Sequence, residues 1–87
     1  MVIVHKQNIA DMLLMEIFAE LHQIREKLRF FEEKYSQNFE EFSLKIESEK
    51  ENFEHFDDYM EWKAYKRILS DLEEKVEDLR HGKLQVA

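Results

Sequence analysis

Two uninterrupted heptad repeats of apolar residues constrain the fold of this chain more than any other feature. In the first, the spacing alternates between four and three positions: Ala10, Leu14, Ile17, Leu21, Ile24, Leu28, Phe31 and Tyr35. The second has the same kind of spacing: Trp62, Tyr65, Leu69, Leu72, Val76 and Leu79. An apolar residue every 3.5 positions places all its members on one face of a helix. The repeats therefore predict two long helices, each with an apolar stripe to bury.

Residues that form turns are rare in this chain. The 87 residues include one glycine and no proline, whereas a β-sandwich or barrel needs many tight turns. At 44% hydrophobic residues, the chain has enough apolar material to bury a core and is not predicted to be disordered. We therefore predict an all-α fold of one domain, spanning residues 1–87.

Breaks in the periodicity divide this domain into five predicted segments. They are an N-terminal arm, a first helix, a short second helix, a third helix and a tail, at 1–8, 9–35, 38–48, 57–81 and 82–87. Asn8, Asn38 and Asp58 are the predicted N-caps, because each side chain has an oxygen that can accept a backbone N–H of the first helical turn. Glu41 and Glu61 follow the last two caps at the spacing of a capping box.

Two heptad helices of similar length, joined by about 20 residues, predict an antiparallel hairpin. The sequence indicates that four phenylalanines close one end of this hairpin: Phe39, Phe42, Phe53 and Phe56. The residues predicted to form its structural core and caps are Asn38, Phe42, Asp58, Trp62, Tyr65, Leu69 and Leu72.

The first half of the first helix is apolar on more than one face. Besides its heptad positions it carries four further apolar residues: Met12, Leu13, Met15 and Phe18. One partner helix cannot cover such a surface, and monomers seldom expose a patch of this kind. We therefore predict a homo-oligomer whose interface comprises Met12, Leu13, Leu14, Met15, Ile17, Phe18 and Leu21.

Acidic charge is concentrated in the middle of the chain. The net charge is −7, and residues 32–61 carry eleven acidic side chains against three lysines. Such a segment repels phosphate backbones and attracts basic protein surfaces, so we predict a basic protein partner and no direct binding of nucleic acid. The acidic residues predicted to bind this partner are Glu40, Glu41, Glu47, Glu49, Glu51 and Glu54.

Few residues are suited to catalysis or metal binding. There is no cysteine, and the single glycine excludes a glycine-rich phosphate loop. His22 and Glu26, four positions apart, could hold a metal ion, but this spacing is common by chance in a glutamate-rich chain. Adjacent carboxylates are typical of solvated helix faces rather than of a desolvated acid–base pair. We therefore predict no enzymatic activity, metal, cofactor or small-molecule substrate.

The N-terminal region allows DNA binding as one further alternative. Residues 2–6 and the first helix could belong to a DNA-binding ribbon–helix–helix unit, but basic residues are few and the heptad continues through 25–28, where that fold needs a turn.

Residues 9–21 are too short to cross about 30 Å of hydrocarbon. Because the pattern of a signal peptide is also missing, we predict a cytoplasmic protein without membrane contact.

Two fragments of the chain resemble a known family. KYSQNFEEFSLKIES, at 34–48, and ENFEHFDDYMEWKAYKRILSDLEEKVEDL, at 51–79, are similar to small helical antitoxins of prokaryotic toxin–antitoxin modules, with their KYG-S-FEEF and DDY-EWKA patterns. The matching residues are Lys34, Tyr35, Phe39, Glu40, Glu41, Phe42, Asp57, Asp58, Tyr59, Glu61, Trp62, Lys63 and Ala64. Ser36 stands where that pattern has glycine.

The resemblance implies an antitoxin-like inhibitor that sequesters a basic toxin of ribonuclease-like or nucleotidyltransferase-like type. In this hypothesis the acidic segment speeds association, and exposed apolar residues supply affinity. The alternative hypothesis is a self-assembling helical scaffold without an inhibitory role, in which the acidic residues only keep the protein soluble. The sequence leaves both hypotheses open.

Overall fold

The computed structural model describes residues 6–49 and 52–81, with only the backbone given for 6–8. The first five residues of the predicted arm, and the predicted tail at 82–87, lie outside the described residues. The same holds for Glu51, one of the acidic residues predicted to bind a partner.

All the regular structure in the described residues is helical. Helix α1 spans Lys6–Tyr35, α2 spans Phe39–Ser48 and α3 spans Phe53–Arg80. The prediction of an all-α fold, with two long helices and a short one between them, is therefore confirmed. Two of the three predicted helix starts differ from those observed.

Helix α1 begins before its predicted cap. Lys6 is already helical, so the predicted arm is shorter than 1–8 and Asn8 lies inside the helix. Lysine and glutamine, at positions 6 and 7, are good helix formers, so this stretch contains nothing that stops the helix before Asn8.

The turn between α1 and α2 is stabilised at both helix ends. Ser36 takes a left-handed conformation with φ of 52°, and the Gln37 N–H donates to the Glu32 carbonyl at 3.3 Å. This is the Schellman arrangement, in which glycine is the usual left-handed residue. Asn38 then caps α2, because its Oδ1 accepts the Glu41 N–H at 2.8 Å. The predicted cap at Asn38 is therefore confirmed.

The predicted cap at Asp58 is wrong. Helix α3 begins at Phe53, where Asn52 Oδ1 accepts the His55 N–H at 3.1 Å. Asp58 therefore lies in the second turn of the helix. Asn52 has the same capping chemistry as Asp58 and an extended backbone, with φ of −99° and ψ of 91°, so the helix can start there and include four more residues.

The core consists of two clusters along the molecule. The aliphatic cluster has five buried residues: Ile17, Leu21, Leu72, Val76 and Leu79. The aromatic cluster has three, Phe31, Phe42 and Trp62, and is surrounded by partly buried side chains: Leu28, Tyr35, Phe39, Ile46, Tyr59 and Tyr65. Only the aromatic cluster contains residues of α2, so α2 thickens one end of the molecule.

Contacts between α1 and α3 join opposite ends of the two helices. Near the start of α1, the Phe18 ring lies 5.9 Å from the Arg80 guanidinium carbon at the end of α3. Near the end of α1, the Phe31 ring stacks on Trp62 with centroids 5.6 Å apart. From α2, the Phe42 ring also stacks on Trp62, at 5.3 Å.

Most residues predicted for the core lie in it, but two phenylalanines do not. Phe42, Trp62 and Leu72 are buried, and Tyr65 and Leu69 are half-buried against the clusters. The phenylalanines at 53 and 56, predicted to close the hairpin, are 78% and 52% exposed. The earlier start of α3 explains this, because Phe53 precedes Trp62 by nine residues, or two and a half helical turns, and so lies on the opposite face.

Candidate functional site

A polar cluster fastens the end of α1 to the beginning of α3. Lys34 Nζ lies 2.7 Å from Asp58 Oδ2 and 3.3 Å from Glu54 Oε1, and the Tyr35 hydroxyl donates to the same Asp58 oxygen. The Asp58 side chain is only 16% exposed. These contacts position the corner between α2 and α3, where the acidic residues and the exposed phenylalanines are found.

The cluster shifts the pKa values of its members. Burial raises the pKa of Tyr35 to about 12, and its hydrogen bond to Asp58 acts in the same direction. Burial also tends to raise the pKa of Asp58, but the hydrogen bonds from Lys34 and Tyr35 outweigh it, and the pKa lies below its ordinary value. The hydrogen bond to Asp58 raises the pKa of Lys34. Each group is thus held in its ordinary neutral-pH protonation state.

Three of the six acidic residues predicted to bind a partner form ion pairs within the chain. Glu54 pairs with Lys34, as described above. Glu40 accepts a hydrogen bond from Lys66 at 2.8 Å, which lowers the pKa of Glu40. Glu49 lies 2.7 Å from His55 Nδ1, and this hydrogen bond lowers the pKa of Glu49. The charge of these three carboxylates is therefore partly compensated.

Two other predicted partner-binding acids are open to solvent. Glu41 and Glu47 are exposed and form no ion pair with another described residue. Asp57, which was not among the predicted binding residues, is also exposed and forms no ion pair with another described residue. Among the described residues predicted to bind a partner, Glu41 and Glu47 therefore retain an uncompensated negative charge.

The predicted oligomer interface divides into buried and exposed parts. Ile17 and Leu21 are buried in the aliphatic cluster, and Leu13 and Leu14 pack against it half-buried. The other three residues form what we call the N-terminal patch: Met12, Met15 and Phe18, which are 61%, 72% and 44% exposed. Of the residues predicted to form the interface, these three can contact a second molecule without disturbing the core.

A second apolar surface lies at the corner between α2 and α3. We call it the corner groove, a cavity of about 290 Å³ lined by Ile46, Glu49, Asn52, Phe53 and Phe56. The volume is just below the range of about 300–1,000 Å³ found for sites of drug-sized ligands. It is suited to a single large side chain rather than to a whole cofactor.

The exposed apolar residues of α3 were missed at the sequence level. Phe53, Phe56, Met60 and Ile68 all lie at least 40% exposed on the side of the helix away from Trp62. Their spacing of three, four and eight positions is a helical period in its own right. Once α3 is known to begin at Phe53, that period places them on one outer stripe.

The histidines do not assemble a metal site in the described part of the chain. Glu26, which with His22 has the spacing of a possible metal-ligand pair, forms an ion pair with Arg29 at 3.1 Å. His81 contacts Glu77 at 3.1 Å, within the last turn of α3. No group of three potential ligands from histidine, cysteine and acidic residues comes together among residues 9–49 and 52–81.

Of the helices described, none combines the length and apolarity needed to span a bilayer. Comparisons of the chain with protein-family models, with curated proteins and with solved structures find no match.

Proposed function

We propose that this chain is a non-enzymatic protein-interaction module, an antitoxin-like inhibitor that binds a basic toxin partner through its acidic central segment. One observation carries the proposal: uncompensated carboxylates and exposed phenylalanines occur at the same corner of the molecule. Phe53 and Phe56 are exposed there, in the segment 32–61 that holds eleven acidic residues. Hot spots of protein interfaces combine such aromatic anchors with a charged rim that steers association.

The proposed scaffold of this module is an antiparallel helical hairpin. The contacts of Phe18 with Arg80 and of Phe31 with Trp62 support it, because an early residue of α1 meets a late residue of α3 and the reverse. In this arrangement α2 packs over the loop end of the hairpin. The acidic corner then lies at one end and the N-terminal patch at the other.

The proposed module is also a homo-oligomer assembled through the N-terminal patch. Two methionines and a phenylalanine exposed within two turns of α1 support this, because methionine-rich surfaces adapt to apolar partners and monomers seldom leave them bare. Separate ends for self-association and for toxin binding would let one oligomer hold more than one toxin molecule.

Co-expression with the protein encoded beside this chain tests the inhibitor proposal. We expect a tight complex whose association rate falls steeply as salt rises. Replacing the uncompensated Glu41 and Glu47 by lysine should slow association without unfolding the protein. Glu40, Glu49 and Glu54 are unsuitable for this purpose, because their reversal also breaks intramolecular ion pairs.

A matched control reverses two exposed acids outside the central segment. Glu73→Lys with Glu74→Lys changes the net charge as much as Glu41→Lys with Glu47→Lys, but on α3 beyond residue 61. If both pairs slow association equally, only total charge matters and the acidic segment is not the binding surface. Absence of any complex would leave the self-assembling scaffold, favoured by the N-terminal patch, as the function.

A further inference from the structure

The corner groove differs in its lining from two other cavities of the described residues. Its walls are three apolar side chains, one carboxylate and one amide: Ile46, Phe53, Phe56, Glu49 and Asn52. Two further cavities of similar size, one beside Phe31 and Asp58 and one beside Phe18 and Arg80, are lined by residues of both charges. Among the described residues that line the corner groove, the one charged group is therefore the Glu49 carboxylate.

The polar wall of this groove is held in place within the chain. Glu49 is fixed by His55 Nδ1 at 2.7 Å and by Lys45 Nζ at 3.7 Å. Asn52 is fixed because its Oδ1 caps α3 through the His55 N–H. A ligand entering the groove thus meets polar groups that are already ordered, which reduces the entropy lost on binding.

The apolar wall, in contrast, lacks a partner in the described chain. Phe53 and Phe56 are three residues apart on α3 and expose 78% and 52% of their surface. Ile46 lies half-buried at the base, where it packs against the aromatic cluster. Covering the two rings would remove apolar surface from water, at about 25 cal/mol for each Å².

The charges around the groove indicate the kind of ligand that would bind there. Glu47 and Asp57, close in sequence to the lining residues, are exposed and form no ion pair with another described residue. None of the described residues that line the cavity is basic. A complementary ligand therefore has one large apolar side chain with lysine or arginine residues beside it.

We infer that the corner groove is an anchor site for a basic protein segment, which inserts one large apolar side chain between Ile46, Phe53 and Phe56. The inference rests on the proposed function and specifies its partner: a basic surface alone is insufficient, and an apolar anchor flanked by cationic residues is required. Affinity comes from the buried side chain, and the surrounding carboxylates orient the segment.

A synthetic helical peptide of leucine and lysine is the probe for this site. Fluorescence anisotropy with the labelled peptide gives its affinity, and a lysine–glycine peptide of equal charge shows what charge contributes alone. We expect the leucine peptide to bind and to perturb the NMR methyl signals of Ile46. Equal affinity of the two peptides, or perturbations confined to Met12 and Met15, would overturn the inference.

Substitutions in the groove provide the second test. Phe53→Ala and Phe56→Ala should each weaken binding by about tenfold or more. Leu44→Ala is the matched control, because Leu44 is also exposed on α2 in the acidic segment but does not line the groove. Both phenylalanines are exposed, so circular dichroism should show unchanged helicity. Unchanged affinity in both phenylalanine variants would overturn the anchor site.

The same variants separate this inference from the proposed function. If the variant carrying both Phe53→Ala and Phe56→Ala binds the protein encoded beside this chain with wild-type affinity, the groove is not the anchor but the inhibitor proposal stands. If the wild-type chain binds no such protein, the proposed function fails. If the double variant instead loses self-association in sedimentation, the groove is an interface between copies, which also contradicts the inference.

Discussion

Asp58 Oδ2 accepts a hydrogen bond from Lys34 Nζ at 2.7 Å, and the contact joins the last turn of α1 to the second turn of α3 across 24 residues of sequence. The Tyr35 hydroxyl donates to the same oxygen. The Asp58 carboxylate, which the sequence predicts to cap a helix, therefore makes a tertiary contact instead. It fastens the beginning of α3, which carries Phe53 and Phe56 of the proposed binding corner, to the end of α1.

Removing this carboxylate should destabilise the protein. Asp58→Ala leaves the half-buried Tyr35 hydroxyl without its acceptor and Lys34 with Glu54 alone, and we expect it to lower the free energy of unfolding by about 1.5–3 kcal/mol. Asp57→Ala, at the neighbouring exposed position, should change it by less than about 0.5 kcal/mol. Urea denaturation at one protein concentration measures both. Equal losses would show that Asp58 forms no special contact.

Stability should fall at high pH through Tyr35. Its pKa is raised from 10.0 to about 12 in the folded protein, so the neutral hydroxyl contributes stability below pH 10 that is lost as the pH rises to 12. Tyr35→Phe loses the hydrogen bond to Asp58 and should be less stable than wild type at neutral pH. Because phenylalanine does not titrate, this difference in stability should shrink between pH 10 and 12. Urea denaturation of both proteins across this range measures the difference, and a constant difference would contradict the prediction.

The two faces of α3 should respond differently to loss of an aromatic ring. Trp62 is 1% exposed and contacts rings from α1 and α2, so Trp62→Ala should cost about 3–5 kcal/mol. Phe53→Ala removes a ring from the exposed face of the same helix and should be almost neutral in thermal or urea unfolding. A large loss for Phe53→Ala would place that ring in a core or an oligomer interface.

Glycine at position 36 should stabilise the turn between α1 and α2. Ser36 has φ of 52°, where a β-carbon is unfavourable, so Ser36→Gly is expected to raise the free energy of unfolding by about 0.5–1 kcal/mol. Ser70→Gly, at an exposed position inside α3, should lower it by about the same amount. Two changes of the same sign in urea denaturation would show that the backbone at Ser36 is not left-handed.

Self-association should depend on the N-terminal patch. We expect at least a homodimer at micromolar concentration, and Met12→Glu with Met15→Glu should dissociate it with little loss of helicity, because both side chains lie outside the core. Met60→Glu with Ile68→Glu, on the outer stripe of α3, adds the same charge as a control. Sedimentation equilibrium distinguishes the outcomes, and a wild-type monomer or dissociation by the control pair contradicts the predicted interface.

Local sequence patterns determined the helices and most of their buried faces. The heptads place Leu21, Phe31, Trp62 and Leu72 on buried stripes because helical periodicity follows from backbone geometry, wherever the partner lies. Asn38 was identifiable as a cap for a similar reason, since the backbone N–H that donates to its side chain lies three residues away in the same segment. Contacts between residues this close together in the chain can be inferred from the sequence alone.

Tertiary structure decided which of several equivalent local signals are used. Asn52 and Asp58 are both good caps, and α3 starts at Asn52 while Asp58 meets Lys34 from another helix. That choice turns Phe53 away from the core and opens the corner groove. The negative charge of Glu40 is likewise compensated by an ion pair with Lys66, which lies 26 residues further along the chain. Such contacts join residues far apart in the chain, and their energies depend on geometry that exists only after the helices pack.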